Sequence, residues 1–118
     1  MKYMLLIYNR PEFVEELSEQ ERQDLFAEVG LIMEELTASG ELVGGQALAD
    51  ATTARTVRLL GGQPAVTDGP FLETKEGLGG FYLMEADDLD EVIKLASQLP
   101  EVHAGHSGVE IRPVVERE

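Results

Sequence analysis

The sequence predicts an α+β fold on the ferredoxin-like, split βαβ plan: an antiparallel sheet, two helices on one face, and an inserted β-hairpin. Three observations carry this. Two stretches with helical spacing, each opened by its own capping residues, alternate with short strand-like runs. Adjacent glycines, Gly61-Gly62, separate two further short runs as a hairpin turn does. Residues 3–8 and 81–84 are apolar on both alternations, as strands in the middle of a sheet are.

In chain order, Tyr3-Met4-Leu5-Leu6-Ile7-Tyr8 is a buried strand closed by Asn9-Arg10-Pro11. Ser18 with Glu21 three residues later forms a capping box, in which each side chain satisfies an orphan backbone N–H. Leu25, Phe26, Val29, Ile32, Met33 and Leu36 then make one apolar stripe, with Glu19, Asp24, Glu28 and Glu35 largely off it. Gly40 closes this helix as a left-handed C′ residue. Glu41 to Ala49 is a weaker strand in which Gly44-Gly45 marks a bulge or a close backbone approach. Arg55–Leu60 and Gln63–Thr67 are the arms of the hairpin. Gly79-Gly80 leads into the strand Phe81–Met84. Asp88 caps a second helix with Glu91 at N3, Leu89, Val92, Ile93, Ala96 and Leu99 as its stripe, and Pro100 as its stop. Val109 to Val115 alternates as a last strand, with Pro113 confined to an edge or a strand end.

Two helices cover one face of a four-stranded sheet, yet two of its strands are apolar on both faces. The second face needs a cover that these elements do not supply, and the simplest is another copy of the chain. A homodimer packed sheet to sheet is therefore expected.

The 118 residues fit one domain, 1–118, large enough to bury a core. A net charge of −14 argues against nucleic acid and against an anionic membrane surface, both of which call for a basic footprint. With no cysteine there is neither a disulfide nor a thiolate nucleophile or metal ligand. The opening apolar run is too short to span a membrane and is not a leader peptide, so a cytoplasmic protein is expected. None of the glycine pairs has phosphate-loop spacing, and no serine triad or haem motif stands out, so no cofactor and no metal are expected.

The segment richest in chemistry runs from Thr67 to Gly80. Asp68, Glu73, Lys75 and Glu76 fall within nine residues on a loop that Gly69-Pro70 forces to turn. Asp68-Gly69-Pro70-Phe71, Glu73-Thr74-Lys75-Glu76 and Gly79-Gly80-Phe81 resemble the signature of the YCII-related, DGPF-motif family. Residues 1–8 and 109–114 resemble that family's opening and closing strands. The resemblance implies a dimeric α+β barrel, bacterial origin, and frequent encoding beside extracytoplasmic-function sigma factors. Its fold relatives include muconolactone isomerases, small cofactor-free monooxygenases and a dehydrochlorinase. A His–Asp pair suggested for the wider group does not carry over, because the first strand here holds no histidine.

Asp68 reads as a general base or as a cap on its own turn. Lys75 reads as an anchor for a carboxylate or enolate, or as the partner of the glutamates beside it. His106 is the proton-transfer candidate, with His103 near it, or both are solvent-facing loop residues. Tyr8, Phe71, Glu73, Tyr82 and Arg112 are the candidate ligand-binding residues: the tyrosines for a hydroxyl at the end of an apolar body, Arg112 for bidentate recognition of an anion. Each also has a bland reading as packing or ion pairing. Together they suggest either a small cofactor-independent enzyme of isomerase, lyase or oxygenase type acting on a small anionic or aromatic acid, or a non-catalytic ligand-binding or dimeric module whose motif is structural.

Overall fold

The computed structural model describes residues 1–10, 13–72, 74–99, 102 and 107–116. Its elements run in the order β1 (Lys2–Asn9), α1 (Phe13–Glu16), α2 (Glu19–Ser39), β2 (Leu42–Ala47), β3 (Arg55–Leu60), β4 (Gln63–Asp68), β5 (Gly77–Glu85), α3 (Leu89–Ala96) and β6 (Ser107–Pro113). Four strands form one sheet in the order β2-β5-β1-β6, while β3 and β4 pair only with each other. Every pairing is antiparallel. This is the split βαβ plan: β1 and β2 are separated by β5, and the hairpin is an insertion between two neighbouring strands.

Local chemistry fixes the helix ends. The Ser18 hydroxyl accepts from the Glu21 N–H at 3.1 Å, and the Glu21 carboxylate accepts from the Ser18 N–H at 3.2 Å. Gly40 ends α2 at φ 83°, a conformation that glycine adopts without steric cost. At α3, Asp88 accepts from the Glu91 N–H at 2.9 Å. Gly61 and Gly62 both have positive φ, as a two-residue hairpin turn matching the strand twist demands.

The core lies between the sheet and the helices. Tyr3, Leu5 and Ile7 of β1 point into it and meet Met84, Ala86, Val92, Ala96 and Leu99, with Ile32, Met33 and Leu36 of α2 packed alongside. Of the stripe expected on the second helix, Val92, Ala96 and Leu99 are buried, whereas Leu89 and Ile93 are nearly half exposed. Leu95 packs against the core in their place, because the short helix turns the 92–95–96–99 arc inward. Among the described residues, α2 and α3 both pack on this face of the sheet and neither covers the other face. By register, Met4 and Leu83 share it, as do Leu6 and Phe81, Leu6 and Glu110, and Met4 and Arg112. Its apolar members are only half-buried.

Strand ends shift by a residue or two from expectation, and β5, read from the sequence as Phe81–Met84, departs most. β5 begins at Gly77, so that Gly79-Gly80 lies inside the strand instead of leading into it. The reason is a bulge. Ile7 pairs with Gly80 and Tyr8 with Leu78, which leaves Gly79 as the extra residue. A Cβ at Gly79 would collide with the side-chain amide of Asn9. Gly44-Gly45 behaves as its spacing suggested: the β2–β5 register shifts between Leu42 and Gly44, and a Cβ at Gly45 would stand 2.7 Å from the Phe81 carbonyl oxygen. β6 stops at Pro113, as a residue without an N–H should stop it. Among the described residues no helix is long and apolar enough to cross a membrane.

Candidate functional site

The apolar stripe on α2 does two jobs. Its C-terminal half packs on the core, but its N-terminal half stands off from the sheet, and no residue of this 21-residue helix is fully buried. Between Leu25, Phe26, Val29 and Met33 on one side and β2, β5 and the end of β1 on the other lies a cleft of ≈ 740 Å³. That volume falls within the usual range for small-molecule sites. Its origin is readable in the register. The helix-facing positions of β2 and β5 pair Gly45 with Tyr82 and Ala47 with Gly80, and Gly80 in turn pairs with Ile7. Glycine and alanine put almost no bulk under the helix, so a void opens there. Side chains cannot fill it from Gly45 or Gly80, since a Cβ at Gly80 would sit 2.9 Å from the Gln46 carbonyl oxygen.

The cleft walls are mostly hydrocarbon, with neutral polar groups at Asn9, Thr37 and Tyr82 and at the backbone of Gln46, whose strand partner Phe81 belongs to the other face. The Thr37 hydroxyl already donates to the Met33 carbonyl at 2.7 Å. Among the described lining residues none is Asp, Glu, Lys, Arg or His, so Tyr82 is the one titratable side chain there. An environment of this kind holds an apolar ring by its faces and reads polar substituents through hydrogen bonds to neutral partners.

The residues singled out in the sequence fall in three places. Tyr82 lines the cleft. Tyr8 and Arg112 lie on the opposite face of the sheet, where Tyr8 pairs with Leu78 and Gly108. Arg112 there bonds through Nε to Glu110 at 2.6 Å. Asp68, Phe71 and Lys75 belong to the hairpin and its exit loop. Asp68 is the last residue of β4, its side chain 91% exposed and its carboxylate 3.2 Å from Arg55 Nε across the hairpin. The turn after it is held by other groups: the Gly69 N–H donates to Ala54 O at 2.8 Å, and the Thr56 hydroxyl to Gly69 O at 2.7 Å. Phe71 is exposed with the Arg58 guanidinium 5.3 Å above its ring, and Lys75 is exposed. Glu73, His103 and His106 lie outside the described residues. Among the described residues, the geometry therefore gathers none of the charged candidates, Asp68, Lys75 and Arg112, with Tyr82.

Residues 1–117 match the sequence model of the YCII-related domain. An uncharacterised protein of Rhizobium meliloti (strain 1021) is 32% identical over 114 residues, which cover 97% of this chain and 92% of that protein. The chain belongs to the YCII-related family. A similar solved structure is 5-chloro-2-hydroxyhydroquinone dehydrochlorinase from Burkholderia phenoliruptrix AC1100, in complex with 2,5-dihydroxybenzoquinone. It aligns with a TM-score of 0.60 at 21% identity, covering 99% of this chain and 96% of that one, and it shares the α+β fold.

In this YCII-related chain the cleft residues that sequence reasoning misses are Asn9, Thr37 and Gln46, together with the glycine floor. Asn9 is legible only as a strand boundary, and Gln46 only as part of a weak strand. One signal is present. Paired glycines on two strands facing an apolar helical stripe cannot fill the space beneath it.

Proposed function

We propose that this YCII-related protein is a cofactor-independent enzyme of isomerase, lyase or oxygenase type, acting on a small, planar, oxygenated ring compound in the cleft between α2 and the sheet. The cleft itself carries this reading: a mostly apolar cavity roomy enough for a ring compound, with a few neutral hydrogen-bonding groups. Support by analogy comes from the dehydrochlorinase of similar fold, whose bound quinone is such a compound. The expectation of an aromatic acid narrows accordingly. No cation lines the slot among the described residues, so the ring and its hydroxyl or carbonyl oxygens are what the walls are suited to hold. The Tyr82 hydroxyl, at the end of an otherwise apolar side chain, is the group we place against a substrate oxygen. The working unit is a homodimer joined through the face that α2 and α3 leave uncovered, where Met4, Leu6, Phe81 and Leu83 supply an apolar surface.

A second reading has its own observation. A slot with one titratable side chain among its described lining residues suits ligand binding without turnover, as in a sensing module for a regulatory partner. One experiment separates the two. The protein is screened against hydroquinones, catechols and quinones by thermal shift, and each hit is then incubated and its products analysed. A stabilising ring compound that is converted supports the enzyme, and one recovered unchanged supports the module. If no ring compound shifts the melting temperature, the cleft is not the site.

A further inference from the structure

We propose that Asn9 is the specificity residue of the cleft: its carboxamide, seated on the glycine bulge of β5, bonds an oxygen on the bound ring. The inference rests on the ring-binding reading of the cleft and deepens it. The ligand class becomes a ring that carries a hydroxyl or carbonyl oxygen at the Asn9 end.

Alternation along β1 places the side chain. Tyr3, Leu5 and Ile7 point into the core, and Asn9 is the next residue on that side of the strand. A row of apolar side chains therefore ends in an amide, and it ends at the cleft, which Ile7 and Asn9 both line. Asn9 is half-buried there.

The bulge gives the amide its seat. Gly79 is the extra residue of β5, and any side chain on it would take the space that the Asn9 amide occupies. Gly79 also lines the cleft, so the carboxamide lies at its floor. Tyr82 is seated in a similar way, since a Cβ at Gly45 would stand 3.0 Å from Tyr82 Cδ1. Each of these two polar side chains thus lies across a glycine of the neighbouring strand. Tyr82 pairs with Leu5, four residues before Asn9 on β1. That sets the two about 13 Å apart along the strands, with Ile7 and Gly80 between them. A ring resting on Gly80 lies between an amide and a phenol.

The other polar groups on the walls are committed or belong to the backbone. The Thr37 hydroxyl donates to the Met33 carbonyl at 2.7 Å, and Gln46 reaches the cleft through its main chain. A carboxamide has two N–H donors and an acceptor with two lone pairs, so it can hold its own orientation and still bond a ligand. It accepts from a ring hydroxyl or donates to a ring carbonyl. A ring without oxygen would leave it unpaired in an apolar slot, and such a site rejects that ring.

The test is an NMR titration of the protein with two probes, hydroquinone and toluene. Wild type is compared with Asn9→Leu, a substitution of nearly the same shape, and with Asn9→Ala. We expect the Asn9 side-chain NH2 cross-peaks, assigned by their loss in the variants, to shift with hydroquinone. Both variants should raise the hydroquinone dissociation constant roughly tenfold, as the loss of one hydrogen bond does, and leave that of toluene within threefold. Cross-peaks that stay in place at saturating hydroquinone overturn the proposal. So does a folded variant that binds hydroquinone within threefold of the wild type, or one that loses both probes alike, which would make Asn9 a shaping residue only. A wild type that binds toluene and not hydroquinone overturns it too. These results leave the cleft standing as a site. A wild type that binds neither probe overturns the cleft reading, and the role of Asn9 with it.

Discussion

The two long-axis helices of this fold use the sheet in opposite ways. α3 has eight residues and buries Val92 completely, with Ala96 beside it, against Leu5, Tyr3 and Met84. α2 has 21 residues and buries none completely. The difference lies in what the strands offer underneath. Beneath α3 the sheet presents Tyr3, Leu5 and Ile111, while beneath the first turns of α2 it presents Gly45, Ala47 and Gly80. Large side chains pull a helix down and close a core, and glycines hold one off and leave a cleft. Stability and the candidate function thus occupy separate halves of one layer.

That division can be broken experimentally. Leu5→Ala, in the fully buried half, should cost about 2–5 kcal/mol of unfolding free energy by urea titration, since a cavity opens where no neighbour can collapse. Gly45→Ala should cost about 1–3 kcal/mol in the same measurement, because its Cβ meets the Phe81 carbonyl and the β2–β5 pair must shift. Val29→Ala, on the cleft wall, should cost less than about 1 kcal/mol, because a half-buried valine beside a void has few contacts to lose. It should nevertheless weaken the thermal shift given by any ring compound that stabilises the wild type. A loss of stability equal to that of Leu5→Ala would show that the upper half of α2 is core after all. Asp68→Asn should change unfolding free energy by less than about 0.5 kcal/mol, as expected for an exposed ion pair.

The smallest effect concerns pH. Asp50 accepts from the Thr52 backbone N–H at 2.9 Å, and this bond holds its carboxyl below the ordinary 3.8. A depressed folded-state value contributes stability that is present above the unfolded value and lost as pH falls through the folded one. The wild type should therefore exceed Asp50→Asn slightly at pH 7, with the difference fading below pH 3.8 when urea midpoints are compared.

Elements governed by near neighbours along the chain are legible in the sequence itself. Ser18 with Glu21, Gly40, Gly61-Gly62 and Asp88 with Glu91 each place a boundary through bonds that close within four residues. Strand order follows from the same elements, since a split βαβ plan admits few alternatives. The cleft is not legible, because periodicity says which side of α2 is apolar and nothing about its distance from the sheet. Leu25, Phe26 and Val29 read as core for that reason. The charge-rich loop draws attention for a related one: titratable residues are conspicuous in a sequence, while a floor of glycines is visible only once paired strands set Gly45 and Gly80 under a helix.

The pairing of β1 has a consequence for how the chain is made. This strand occupies residues 2–9, yet both its neighbours come from the second half, β5 at 77–85 and β6 at 107–113. During synthesis this apolar strand emerges well before either partner, so both its edges stay open while the intervening elements are made. Such distant pairings are slow to close, and an unpaired apolar strand is prone to associate with others in the meantime. The capped helix α2 emerges directly behind it, and its apolar stripe is the earliest shelter that the nascent strand can find.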